Sequence, residues 1–165
     1  MEHPQAPPTS GPKGRRAVLM IALALLLITA SVFLTGRQDP GTFIVTFPSG
    51  TELITDVADT PEKIFFGLAF RDHLPEDRGM VYIFDSSDRH RLTTKGFMVP
   101  VDMIWLDESK YVVHTVTGAE PCDERVCPQF GPPPENARYV VQTVAGFVET
   151  EGIKPGDVLK FTLRL

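Results

Sequence analysis

Residues 17–34 read AVLMIALALLLITASVFL, 16 apolar residues in 18, with only Thr29 and Ser31 polar. A run of this length has few possible destinations in a folded chain. At about 1.5 Å per residue a helix through it reaches about 27 Å, close to a hydrocarbon thickness of about 30 Å. Adding Thr35 and Gly36 completes a span at 17–36. Lys13, Arg15 and Arg16 precede the run, whereas Arg37 behind it is offset by Asp39. Basic flanks stay on the cytoplasmic side. The sequence therefore predicts a disordered cytoplasmic tail at 1–16, a transmembrane signal-anchor at 17–36, and an extracytoplasmic domain at 37–165. The chain would cross the cytoplasmic membrane once, with its N-terminus inside and its C-terminal domain periplasmic or extracellular. The alternative is a cleaved signal peptide. Against it, the run exceeds a usual signal core and no Ala-x-Ala site follows, although cleavage near Ala30 is conceivable. No cysteine is placed for a lipoprotein anchor.

Residues 37–165 number 129, enough to bury a core. They carry 13 Lys and Arg against 20 Asp and Glu, a net charge of -7 where the whole chain has -5. This balance argues against a nucleic-acid partner, which requires clustered basic residues. The apolar residues are chiefly strand formers: 14 Val, 6 Ile, 10 Phe, 3 Tyr and 1 Trp, against 8 Leu and 5 Ala. Leu159, Phe161, Leu163 and Leu165 alternate with polar residues, as in a half-buried strand. Residues 80–84, MVYIF, are apolar without alternation, as in a strand covered on both faces. Segments 43–47 and 52–57 flank Pro48-Ser49-Gly50 and read as a hairpin; Tyr111 and Tyr139 head two further strands. Asp59-Thr60-Pro61-Glu62 reads as a helix start, with Asp59 as N-cap and Glu62 completing a capping box. That helix is expected to reach about Phe70 with Ile64, Phe65 and Leu68 on one face. A second short helix is expected over residues 145–151, ended by Gly152. The expected fold is mainly β: a single compact β-sandwich or barrel-like domain with two short helices, behind one N-terminal transmembrane helix.

Residues 118–137, GAEPCDERVCPQFGPPPENA, form a long proline-rich loop holding both cysteines. Long loops in compact domains tend to be functional or disordered. In an oxidising compartment Cys122 and Cys127 should form a disulfide staple. A redox-active pair is the alternative, but such pairs usually enclose two residues at a helix N-terminus. Here four intervene, Asp123 and Glu124 among them, and Pro128 follows. The histidines at 3, 73, 90 and 114 show no metal-ligand spacing, so neither a metal nor a cofactor is expected. No Gly-x-Ser-x-Gly, Ser-x-x-Lys or Cys–His arrangement is present, and the odd spacing of Asp102 and Asp107 puts them on opposite faces of a strand.

Asp102 interrupts the apolar stretch MVPVDMIWL. A carboxylate there needs a cation or several donors, since burying it alone costs several kcal/mol. Arg71, Lys95 and Arg138 lie near strand or helix ends and are candidate partners. Two roles remain open: a structural ion pair, or a site where a cation holds an anionic or sugar ligand that Asp102 orients. Arg89-His90-Arg91 could likewise attract an anion or form a solvated loop.

Four blocks together resemble the domain-of-unknown-function family number 192. They are V-A-D-T-P-E (57–62) leading to G-L-A-F-R (67–71) and L-P-E-D-R-G-M (74–80); P-V-D-M-I-W-L-D (100–107); P-C…C-P (121–128); and A-R-Y-V-V (137–141) with A-G-F-V-E…G-I-K-P-G-D-V (145–158). The resemblance spans roughly residues 44–163. It implies a small β-rich sandwich or barrel-like domain, often exported behind a signal or anchor, and no established activity. The family's usual Phe-Trp-Met-Lys-Asn-Thr run stands here as L-T-T-K-G-F (92–97); Lys95 is kept, while Thr93 and Gly96 hold the Trp and Asn positions.

These features predict a membrane-anchored ligand- or partner-binding module of the cell envelope rather than an enzyme. Its contact surface would gather Arg71, Lys95, Asp102 and Arg138 beside the stapled loop. The expected partners are membrane lipid through residues 17–36 and an envelope glycan, a small anion or an envelope protein. The alternatives are an envelope-acting enzyme with Asp102 and Lys95 as acid–base residues, and a structural accessory subunit of a membrane complex.

Overall fold

Strand-forming residues dominate the chain beyond residue 40, and seven strands join there in one sheet. They are β1 (Thr42–Thr46), β2 (Glu52–Ala58), β3 (Arg78–Asp88), β4 (Val101–Leu106), β5 (Val112–Ala119), β6 (Ala137–Val144) and β7 (Lys160–Arg164), in the order β5-β4-β6-β3-β2-β1-β7. The computed structural model describes Gly14, residues 18–27 and residues 41–164. The chain divides into two units, Met1–Asp39 and Pro40–Leu165. In the first unit, residues 18–27 are helical. Among the described residues no helix is long and apolar enough to cross a membrane. The expected tail at 1–16, apart from Gly14, and the rest of the expected 17–36 anchor lie outside the described residues.

In the second unit every neighbouring pair of strands is antiparallel except β2 and β3. A parallel pair needs a crossover, and α1 (Pro61–Phe66) with the turns after it supplies one. The sheet's two outer strands are linked. Tyr111, just before β5, bridges Val158, just before β7. Val112 N–H donates to the Asp157 carbonyl at 2.8 Å, and Leu159 N–H donates to the Lys110 carbonyl at 3.1 Å. These bonds occupy backbone groups that an open edge would leave unpaired.

Both faces of the sheet are buried. One carries Val45, Leu53, Val81, Ile104 and Val141. The other packs Tyr82, Met103, Trp105 and Val140 against Leu68, Leu92 and Phe97 from the connecting segments. Strand β4 is buried at every position, which explains its lack of alternation. In the last strand the expected half-buried pattern fades: Leu159 is buried, Phe161 partly so, and Leu163 is 50% exposed. β7 pairs with β1 alone in the sheet and has fewer neighbours to cover it.

Helix α1 is capped one residue later than expected. Thr60 is the N-cap, its Oγ1 accepting from Lys63 N–H at 3.3 Å, and Pro61 takes the first helical position. Asp59 instead pairs with Lys63 Nζ at 2.7 Å, which holds its carboxyl below the usual value. The helix stops at Phe66 rather than near Phe70 because Gly67 adopts φ 51°, ψ -124° and donates its N–H back to the Lys63 carbonyl. Ile64 and Leu68 face the core, whereas Phe65, also expected on that face, points to solvent. The second helix, α2 (Phe147–Thr150), is shorter than the expected 145–151 because Gly146, at φ 88°, turns the chain into it.

Candidate functional site

The last turn of α1 and the residues after it form an unusual surface. Phe65 is 78% exposed, Phe66 50% and Phe70 76%. Phe65 meets Phe66 edge-on at 5.2 Å, and Phe66 lies 6.2 Å from Phe70. Soluble proteins scatter exposed apolar residues singly, and a contiguous aromatic group signals contact with something else. The three rings open onto a pocket of about 420 Å³ whose walls also include Tyr82, Leu92 and Phe97. Its size falls in the range of about 300–1,000 Å³ usual for small-molecule sites.

The backbone around this pocket is held in rare conformations. Phe70 has φ 66°, a left-handed value uncommon for a bulky residue. Its N–H donates to the Gly96 carbonyl at 2.9 Å, and Gly96 itself sits at φ 75°. Gly96 N–H in turn donates to the Cys122 carbonyl at 2.8 Å. Thr94 Oγ1 donates to the Glu120 carbonyl at 2.7 Å, and Lys95 Nζ to the Arg125 carbonyl at 3.3 Å. The stapled loop thus grips the segment carrying Lys95, which grips Phe70. Cys122 and Cys127 are joined by a disulfide, as expected for an oxidising compartment. Replacing both with serine should lower unfolding free energy by about 2 kcal/mol, the value for closing so short a loop. Equilibrium denaturation of wild type and double variant measures it, and equal stabilities would show that the loop holds itself without the bond.

The four site residues expected from sequence occupy separate environments. Lys95 lines the aromatic pocket. Arg71 Nη2 pairs with Asp56 Oδ2 at 2.7 Å, in a cleft shared with Lys63 and Met80 on the other side of Phe66. Arg138 Nη1 donates to the Asp85 carbonyl. Asp102 is fully buried and meets no cation among the described residues. Of its two expected solutions it takes several donors: Oδ1 accepts from Gly118 N–H at 2.8 Å and Oδ2 from Val148 N–H at 2.9 Å. Val148 lies in the first turn of α2, whose N-cap Gly146 has no side chain to offer, so Asp102 satisfies that N–H from across the fold. A carboxylate so enclosed presents no atom to a substrate, and the acid–base pairing of Asp102 with Lys95 is not brought together.

Sequence reasoning missed the phenylalanines. The available signal was Phe65-Phe66 followed by Gly67: one helical turn cannot bury two adjacent large rings on a single face. Among the described residues no group of three or more His, Cys, Asp or Glu side chains could hold a metal ion.

A seven-stranded mixed sheet, one short crossover helix and a stapled loop define a small, mainly β domain. Residues 44–161 match the model of the family DUF192, described as an uncharacterized ACR, and the chain belongs to that family. A solved protein of unknown function from Novosphingobium aromaticivorans is similar at 25% identity and a TM-score of 0.61, over 72% of this chain and 83% of its own. A candidate transcription regulator from Sinorhizobium meliloti shares the fold at 24% identity and a TM-score of 0.63, over 73% of this chain and 92% of its own. No curated protein matches the chain significantly.

Proposed function

We propose that this protein is a ligand-binding module of the cell envelope, anchored by residues 17–36, with its domain outside the cytoplasm and the phenylalanine pocket as its binding site. The observation that carries the reading is the pocket: about 420 Å³, with aromatic walls and three phenylalanines half or more exposed at its mouth. Leaving these rings in water is unfavourable by about 25 cal/mol for each Å² of apolar surface. A binding role accounts for a surface that folding alone does not reward. The basic flank of the apolar run supports export. The disulfide supports an oxidising compartment.

Octan-1-ol is a suitable neutral probe. Titrated into the full-length chain, it should bind saturably and perturb the NMR signals of Phe66, Phe70 and Phe97. Thr93 is exposed at the pocket wall, so Thr93→Trp fills the site without touching the core. That variant should bind octan-1-ol at least about tenfold more weakly, the effect of excluding a few buried methylenes. The reading fails if there is no saturable binding, or if Thr93→Trp binds as wild type does.

A further inference from the structure

We infer that the pocket takes an amphipathic carboxylate, its apolar tail among the phenylalanines and its acid group on Lys95 and Arg91. This rests on the binding reading above and adds the chemical class of the ligand.

The polar groups lining the pocket are few, and their charges are uneven. Arg91 and Lys95 stand there with Asp123 as the one acidic side chain. The domain around them has 20 acidic residues against 13 basic. A locally cationic rim on an acidic domain favours an anion there over most of the remaining surface. Both cations have bonding capacity to spare. Lys95 Nζ donates at 3.3 Å to a neutral carbonyl, that of Arg125, leaving two further donors on its ammonium. Arg91 is exposed, and its guanidinium makes no hydrogen bond or ion pair among the described residues. A guanidinium fork matches the two oxygens of a carboxylate. The apolar walls beside these cations lower the local dielectric and strengthen the contact beyond what it would be in open water.

The rest of the site fits an extended tail. Uncharged polar groups in the lining are confined to Thr93 and the Tyr82 hydroxyl, which already donates to Gln142. Phe66, Phe84, Leu92 and Phe97 offer carbon surface alone. A sugar, which needs hydrogen bonds around its whole ring, would leave most of its hydroxyls unmatched. The left-handed Phe70 and Gly96 also fit a prepared site. Such backbone persists only where the surroundings over-determine it, and here the Phe70–Gly96–Cys122 chain of hydrogen bonds does so. The wall is therefore set before the ligand arrives, which lowers the ordering cost of binding.

The test compares three eight-carbon probes on the full-length chain: sodium octanoate, octan-1-ol and octyltrimethylammonium chloride. Each is titrated by ligand-observed NMR against wild type and against Arg91→Gln, Lys95→Gln and the double variant. Octanoate should bind about tenfold more tightly than octan-1-ol, the gain of one charge-assisted contact. In the double variant that preference should vanish. Equal binding of octanoate and octan-1-ol to wild type would overturn the inference and leave the pocket standing. So would tighter binding of the cation, or a carboxylate preference that survives in the double variant. If no probe binds, or Thr93→Trp binds all three as wild type does, the pocket itself is not a binding site.

Discussion

Asp102→Ala should lower the unfolding free energy by about 3 kcal/mol, since a buried donor left unsatisfied costs about 1–3 kcal/mol. Two donors are at stake: Gly118 N–H in β5 and Val148 N–H in α2. Val148 is almost fully buried, so its N–H has no water to turn to, whereas Gly118 is exposed and its N–H can be solvated in part. Gly118 lies where the register of β4 and β5 shifts, between the pairs Val101–Ala119 and Met103–Val116, and its φ is 61°. The carboxylate therefore fastens a bulge on one side and a helix start on the other. Asp102→Asn keeps the volume and one acceptor, but turns an amide N–H₂ toward a backbone N–H, so it should cost about 2 kcal/mol or more. Arg71→Ala supplies the contrast. Its partner Asp56 is a third exposed, and such pairs contribute about 1 kcal/mol or less. Urea denaturation of the three variants checks the order; a loss below about 1 kcal/mol for Asp102→Ala would mean that water reaches the Val148 amide as well.

Asp102 also shows how far the sequence could be read. A charge inside MVPVDMIWL announces a buried carboxylate with a partner, and that much is correct. The partner's identity is another matter. Side-chain cations can be counted in a sequence, whereas a backbone N–H belongs to every residue but proline. The two that Asp102 uses lie 16 and 46 residues away and become neighbours only when α2 packs beside β4 and β5. Arg71, Lys95 and Arg138 were visible as candidates, and each bonds to a different acceptor: Asp56 in β2, the Arg125 carbonyl in the stapled loop and the Asp85 carbonyl in β3.

Strands fared better because their evidence is local. The hairpin of β1 and β2 follows from strand formers on either side of Pro48-Ser49-Gly50, and the two-faced burial of β3 follows from MVYIF. The parallel pairing of β2 with β3 was not legible, since it depends on where α1 stops. That stop depends on Gly67, read in the sequence as part of a longer helix. The exposed phenylalanine surface was hidden for a different reason: Ile64 and Leu68 take the core-facing side, and Phe65, one position from Ile64, falls outside that stripe. The disulfide, by contrast, needed only two cysteines, a short spacing and a compartment.

Gly67→Ala should therefore disturb both fold and site, at a cost of about 3 kcal/mol. A left-handed backbone accounts for about 1–2 kcal/mol of it and overpacking for the remainder. A methyl group built at Gly67 would stand 1.9 Å from Tyr82 Oη and 3.0 Å from its Cζ. Tyr82 has little room to yield. Its ring is buried, its hydroxyl donates to Gln142 Oε1 at 2.8 Å, and burial pushes its titration far above the ordinary tyrosine range. Gln142 Nε2 already has no partner among the described residues, so moving the Tyr82 hydroxyl away would leave both ends of that amide unsatisfied. Tyr82→Phe removes the atom at 1.9 Å and relieves most of the clash, but not the backbone strain. In the Tyr82→Phe background, Gly67→Ala should cost about 1–2 kcal/mol less than in wild type, a coupling that a double-mutant cycle measures directly. Strict additivity would show that the ring is not what confines Gly67. Because Tyr82 also lines the pocket, Gly67→Ala alone should weaken octan-1-ol binding, and Tyr82→Phe should restore part of it. A stability loss without any change in binding would separate the end of α1 from the pocket beside it.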